Sequence, residues 1–247
     1  MKIKILVAMH KAAPVPKDDL YLPIQAGRHG KPALDYQGDD EGENISAKNP
    51  NYCELTALYW AWKNLQADYV GLVHYRRYFS GSGIASDKKF AKIANSKDIK
   101  SLLGKASIIL PKKRHYYVES IYSHYIHAHR RADLDLVESI IKEKSPEYLP
   151  AFENLKKRKS AHMFNMLIMR QDILHEYCTW LFGVLFELEK RLGNNHEPRV
   201  FGFLSERLLD VWIETKNVQY VEQGLVSFGV ENIFVKGIRM LGRKIRS

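Results

Sequence analysis

The chain has 247 residues, 45% of them hydrophobic and 11% aromatic, with 38 Lys+Arg against 28 Asp+Glu for a net charge of +10. That composition excludes a disordered chain and is long enough for one sizeable core. The charge points to a polyanionic partner, an anionic membrane surface or a phosphorylated ligand, without choosing among them. Two cysteines, Cys53 and Cys178, sit far apart with no metal or redox spacing, which fits a reducing cytoplasm. The N-terminal apolar run is broken by His10, Lys11 and Pro14, too short for a secretory leader, and no run of about 18 apolar residues reads as a membrane span.

In chain order, residues 2–9 read as a first strand. Residues 11–49, with Pro14, Pro16, Pro23 and Pro32 and the acidic cluster Asp39-Asp40-Glu41, read as a long functional loop. A helix starts at Asn49–Asn51, with Glu54 placed as in a capping box, and Leu55, Leu58, Tyr59, Trp62 and Leu65 at helical spacing. Residues 69–74 form the next strand. This order is that of a βαβ unit and predicts an α/β fold whose parallel sheet gathers its loops at the strand carboxyl ends. Residues 80–105 read as short surface helices, 106–111 as a strand, and 118–158 as helical with breaks at Pro146 and Pro150. The run 161–170 reads as a core strand, 172–192 as a long helix ended by Gly193, 203–214 as an amphipathic helix and 218–221 as a late strand. One domain over 1–232 and a basic amphipathic tail over 233–247 complete the layout. The tail suits an anionic membrane surface or a solvated end.

Three segments carry candidate chemistry. "HYRRYF" sets His74, Arg76 and Arg77 directly after an apolar strand; planar, permanently charged guanidinium groups there make a diphosphate clamp. The alternative is one arginine paired with loop carboxylates and the other solvated. Asp39, Asp40, Glu41 and Glu43 would suit a divalent ion, or a solvated acidic turn. Asn44 and Ser46 are hydrogen-bond donors to a ligand or turn residues. Glu206, in an apolar helix start, would act as a general base with a raised pKa, or pair with Arg207 or Arg199. His124, His127 and His129 lack the partners of a zinc site. No phosphate-loop, dinucleotide or nucleophile-elbow motif is present.

Together "YLPIQAG", "GDDEGENISAKNPNYCELTALYWAWKNL", "DYVGLVHYRRYF", "FNMLIM" and "RVFGFLSERLL" resemble a bacterial family encoded in capsular and exopolysaccharide gene clusters. Its members are glycosyltransferases with a GT-A-like fold, a mixed and mostly parallel sheet flanked by helices. The resemblance spans about residues 3–215 and departs at "MHKAAPVP", where an aromatic would follow the lysine. It implies transfer from a nucleotide-sugar, UDP-linked and in some members UDP-galactofuranose, to a lipid-linked saccharide acceptor in capsular, exopolysaccharide or O-antigen synthesis. It implies an inverting outcome and work in the cytoplasm or peripherally at the inner membrane face.

It further implies that His10, Lys11, Tyr21 and Gln25 sit near the donor, that Asn44, Tyr52 and Glu54 line its pocket, and that His74, Arg76 and Arg77 hold the diphosphate. Asn165, His162 and Arg199 would face the sugar or acceptor, and Glu206 would take the acceptor's proton. Many GT-A enzymes keep a metal-binding Asp-x-Asp where His74-Tyr75-Arg76-Arg77 stand here. The resemblance therefore implies protein cations in place of a metal, with Mn2+ or Mg2+ on Asp39 and Asp40 as the alternative. Two other classes compete with an enzyme. A non-catalytic glycan-binding or scaffold component would release no nucleotide. A nucleic-acid binder shares the charge and aromatics but lacks a recognised module, so no nucleic-acid partner is expected.

Overall fold

The computed structural model describes residues 1–84 and 88–228; the expected basic tail lies outside the described residues. The strands are β1 (Ile3–Met9), β2 (Tyr21–Gln25), β3 (Gln37–Gly38), β4 (Tyr69–His74), β5 (Arg77–Phe79), β6 (Ile108–Pro111), β7 (Arg114–His115), β8 (Ser160–Ala161), β9 (Leu167–Arg170), β10 (Val221–Gln223) and β11 (Leu225–Ser227). The α-helices are α1 (Asn49–Tyr52), α2 (Leu55–Asn64), α3 (Ser96–Leu103), α4 (Ile121–Ala128), α5 (Arg131–Lys144), α6 (Leu149–Lys157), α7 (Gln171–Leu192) and α8 (Val200–Lys216).

The sheet runs β10-β6-β9-β4-β1-β2-β3. β1 pairs in parallel with both β2 and β4, β2 with β3, and β6 with β10, while β9 alone runs against its neighbours β4 and β6. β5 folds back on β4, and β11 pairs with β5. β7 and β8 form a separate two-stranded ribbon. The expected α/β architecture with a mostly parallel sheet is therefore present.

Both sheet faces are covered, so the central strands are apolar at successive positions and their side chains alternate between two cores. Leu6, Ala8, Leu72 and Ile108 meet α2 and the helices α4–α8. Ile5, Val7, Val73, Ile109 and Ile168 meet the smaller layer that holds Phe79, Phe90 and Ile99 of α3. No helix among the described residues is long and apolar enough to cross a membrane.

Five sequence expectations shift. The supposed loop 11–49 contains β2 and β3; Pro23 is accommodated in β2, in register with Val7. The helix expected from Asn49 breaks at Cys53, whose φ of 54° ends α1, and Glu54 makes no capping bond. The run 161–170 is two strands, β8 and β9, parted by a turn at Phe164 and Asn165. The late strand starts at Val221 rather than Val218. Breaks in 118–158 fall at residues 129–130 and at Ser145-Pro146, whereas Pro150 occupies the first turn of α6, where its missing N–H costs nothing.

At the sheet centre Gly71 has no room for a side chain: a Cβ there would lie 2.8 Å from Ile168 Cγ1 and 3.1 Å from the Leu167 carbonyl oxygen. Gly71→Val is expected to destabilise the fold by about 1–3 kcal/mol through overpacking. Thermal denaturation would read this as a fall of roughly 2–4 °C per kcal/mol. An unchanged melting temperature would show that β4 and β9 can separate without loss.

Candidate functional site

Loops at the carboxyl ends of parallel strands form a crevice in folds of this class. β1 ends beside His10 and β4 ends at His74. The chain then turns through Tyr75 and Arg76 and returns as β5, with Arg77 directly opposite His74. Directly opposed residues of an antiparallel pair share a face, so His74 and Arg77 point the same way while Arg76, at the turn, is exposed.

That face meets the turn at Phe164 and Asn165. The His74 Nε2 donates to the Phe164 carbonyl at 2.7 Å, which fixes the tautomer with its hydrogen on Nε2 if the ring is neutral. The Arg77 guanidinium carbon stands 3.8 Å from the centre of the Phe164 ring. The Phe164 backbone N–H donates to Glu206 Oε1 at 3.1 Å, and Arg207 Nη1 donates to Glu206 Oε2 at 2.9 Å. Asn165 donates to Glu54 Oε1 at 2.7 Å and to the Gly202 carbonyl at 3.1 Å, and its Oδ1 accepts from Ser205 at 2.8 Å. The Arg199 Nε lies 3.4 Å from the Cys53 sulfur.

Backbone strain gathers at the same place. Among the described residues, five non-glycine positions have positive φ, and four of them are Cys53, Phe164, Asn165 and Arg199. Such conformations cost roughly 1–3 kcal/mol each and persist only where the surroundings enforce them, which is a mark of functional sites.

Two carboxylates thus sit within a ring of cations. Burial pushes the Glu206 carboxyl above the usual glutamate range; Arg207 opposes this, and the negative charge of Glu54 adds to it. The side chain still keeps 18% of its surface exposed, enough to meet a ligand. Burial pulls the Arg77 guanidinium down, against the attraction of Glu206 and Glu54. His10 is likewise lowered, by burial first, and feels Glu54, His74, Lys31 and Arg199.

Next to Glu206 stands a wall of rings of which the sequence pointed only to His124 and His129, and to those as unsupported zinc ligands. Tyr116 packs 4.1 Å from the His124 ring, Arg114 caps Tyr116 at 5.0 Å, Arg207 lies over Tyr125 at 5.2 Å, and His129 stacks on Phe203 at 4.4 Å. The Tyr116 hydroxyl, His124 Nδ1, Tyr125 hydroxyl and Arg207 Nε are buried without a protein partner. As a wall, its only sequence signal was the density of rings and cations over 114–129.

The sequence matches the family described as a domain of unknown function, DUF4422, over residues 4–217. The chain belongs to the DUF4422 family. It matches none of the curated proteins. A solved structure of the bifunctional glycosyltransferase WbbM, without ligand, is similar at 30% identity and a TM-score of 0.84, over 94% of this chain and 46% of that one. The chain thus spans under half the length of that solved relative, and its fold is GT-A-like.

Of the residues expected at the site, this DUF4422 chain brings Glu54, His74, Arg77, Asn165, Arg199 and Glu206 together, with His10 at the edge and Lys11 and Arg76 exposed nearby. Asn165 reaches Glu54 rather than open space. The others are engaged elsewhere. Tyr21 donates to the Ala94 carbonyl at 2.7 Å in the smaller core, and Gln25 ties down Pro32 and Leu34. Asn44 closes its own turn through the Asp40 and Gly42 carbonyls. Tyr52 stacks on Phe201 at 4.5 Å and bonds Glu189 at 3.2 Å. His162 is clamped between Asp210 at 2.5 Å and Glu222 at 3.0 Å, and its side chain is fully buried.

The fallback metal ligands are also committed. Asp39 is fully buried and accepts from the Gly27 and Arg28 N–H groups, Ser46 and Thr56, while Asp40 pairs with Arg28 at 2.5 Å. No group of three or more His, Cys, Asp or Glu side chains among the described residues is placed to hold an ion. Asp39 and Asp40, with their oxygens spent on these partners, therefore do not fit as ligands of a metal held by the described residues alone.

Asp39→Ala would orphan those buried donors at about 1–3 kcal/mol each. A large drop in melting temperature is expected, with no manganese-dependent stabilisation lost. A wild-type thermal shift on manganese that vanishes in the variant would return Asp39 to a ligand role.

Proposed function

We propose that this chain is a glycosyltransferase that moves a sugar from a nucleotide-sugar to a glycan acceptor. The observation that carries the reading is a half-buried carboxylate of raised pKa, Glu206, facing Arg77 and His74 across the strand-end crevice of a GT-A-like fold. The 30% identity to the WbbM glycosyltransferase supports the reaction class.

The donor's diphosphate lies against Arg77 and His74, with Arg76, His10 and Lys11 around it, and UDP is the nucleotide proposed. The acceptor glycan stacks on the wall of rings beside Glu206 that includes His124 and Phe203. The acceptor oxygen attacks the anomeric carbon from the face opposite the diphosphate. Its proton passes to Glu206, the bond from the anomeric carbon to the phosphate oxygen breaks, and the leaving diphosphate takes the electron pair. Configuration inverts. Arg77 stabilises the charge that develops on the leaving group, acting at fixed distance in a site of low dielectric. Glu54, held by Asn165, sets the position of the cations rather than taking the proton. A galactofuranose donor, a lipid-linked acceptor of capsular, exopolysaccharide or O-antigen synthesis, and a place at the cytoplasmic membrane face complete the proposal. The +10 charge and the basic sequence over 233–247 support the last of these.

Binding to the native state raises apparent stability by mass action, so thermal shift identifies the donor. A UDP-sugar is expected to raise the melting temperature with chelator present, and Arg77→Ala to abolish the rise; Arg76→Ala, at the exposed turn, should weaken it less. Stabilisation by nucleic acid and by no nucleotide-sugar would overturn the reading.

Glu206→Gln is expected to lower transfer by about 10²–10⁴-fold, the usual worth of a general base, with donor binding retained. Because folding raises this carboxyl's pKa, its protonated form is the one favoured by folding, and stability from this group is lost as pH rises through the raised value. The Gln variant should thus melt no lower than wild type near neutral pH. The wild-type rate should fall on acidification with a midpoint above 4.5, the ordinary glutamate value. Normal turnover by the Gln variant would remove Glu206 from the mechanism.

A further inference from the structure

The ribbon of β7 and β8 stands apart from the main sheet, and the chain leaves it through Tyr116, Tyr117 and Val118. Tyr116 turns inward onto His124. Tyr117 and Val118 turn outward and are 88% and 89% exposed; among the described residues the one other large hydrophobic so exposed is Met1, at 61%. Four basic or titratable residues, Lys112, Lys113, Arg114 and His115, run directly before them. Lys159, from the neighbouring strand connection, sets its Nζ 3.5 Å from the Tyr117 carbonyl. Glu119, the first acid after the segment in sequence, is 2.6 Å from His127, while Lys113 turns to a separate pocket that it lines with Glu214, Tyr220 and Glu222. Residues 112–118 themselves contain no acid.

We propose that segment 112–118 is a docking surface for an anionic lipid bilayer, with Tyr117 and Val118 entering the interfacial region and the exposed Lys112, Arg114 and Lys159 facing lipid phosphates. Charge complementarity and the side-chain chemistry favour this occupant. Tyrosine places an apolar ring at headgroup level with its hydroxyl in water, and each basic residue near an anionic leaflet adds attraction that salt screens. Nucleic acid would use the cations but leave Val118 without a role. Tyr117 and Val118 lie outside the groups placed at the reacting bond. Their inward neighbour Tyr116 belongs to the wall beside Glu206, so docking here would bring that wall to the bilayer surface, where a lipid-carried acceptor is presented.

The test uses the full chain with vesicles of phosphatidylcholine, with and without phosphatidylglycerol. The wild type is expected to co-sediment with the anionic vesicles, less so in high salt. A double variant, Tyr117→Ser with Val118→Ser, should lose at least about fivefold in partitioning, the scale expected when two interfacial side chains are removed. Its melting temperature should be unchanged, since both side chains are exposed. Should the double variant fail to fold, Tyr117→Trp decides: its emission, taken as a difference from wild type, shifts to the blue on anionic vesicles. Full binding by the double variant, equal binding to neutral vesicles, no vesicle binding by the wild type, or no blue shift would each overturn the proposal.

Discussion

One amide holds the crevice together. Asn165 sits in the left-handed region at φ 52° and is 5% exposed, with its NH2 group spent on Glu54 and the Gly202 carbonyl and its oxygen on Ser205. Those three partners lie at the start of α2 and along the first turns of α8, so the side chain spans two helices from a turn at the end of a sheet strand. Asparagine tolerates this backbone state better than most residues because its short polar side chain bonds locally. Phe164, beside it at φ 80°, has no such ease, and is held by the His74 ring on its carbonyl and Glu206 on its N–H. A strained aromatic turn is stable here because each backbone polar atom has a side-chain partner, and those partners are the site.

The electrostatic character follows from that arrangement. Bringing Glu54 and Glu206 near one another in a partly buried space disfavours two full negative charges, and the cations around them offset the cost. The balance leaves Glu206 reluctant to ionise and Arg77 partly desolvated. Both conditions make the groups more responsive to a ligand. In the proposed reaction a diphosphate would replace lost hydration at Arg77, and an incoming hydroxyl would find a carboxylate of raised proton affinity.

The chain order of the longer strands, the long helix and the strand carrying His74 were readable because apolar runs of the right length are bounded by glycine, proline or charge. The βαβ reading placed His10 and His74 at the same end of the sheet, as the parallel pairing of β1 with β4 does. What the sequence hid depends on contacts between distant residues. Tyr21, Gln25 and Tyr52 stand in motifs beside site residues, yet their polar atoms are spent within the fold, and no spacing rule distinguishes a tyrosine whose hydroxyl finds Ala94 from one that faces a ligand. Asp39 looked like a surface acid and proved to be a buried anchor for two backbone N–H groups and two hydroxyls. The break at Cys53 was invisible because residues 49–64 read as one helix. The ring wall was invisible because Tyr116, Phe203 and Arg207 converge only once α4 and α8 are packed.

The paired arginines show why local order is not enough. In an extended strand two adjacent side chains point to opposite faces, and one of them would be lost to the crevice. The chain solves this by ending β4 at His74 and reversing through Tyr75 and Arg76, so that the partner of His74 across the hairpin is Arg77. The outcome is unequal. Arg77 lies against Phe164 and feels Glu206 and Glu54, whereas the Arg76 guanidinium rests 5.1 Å from the Tyr75 ring in an exposed position. Tyr75 in turn meets His10 edge-on at 6.3 Å, so Arg76 is tied to the mouth through an aromatic contact rather than through the carboxylates. A hairpin of this kind separates the two cations into an inner group fixed before any ligand arrives and an outer group free to follow one. For the diphosphate donor proposed here, that division would serve better than two equivalent arginines, because the inner member sets position while the exposed member adds charge at little cost in preorganisation.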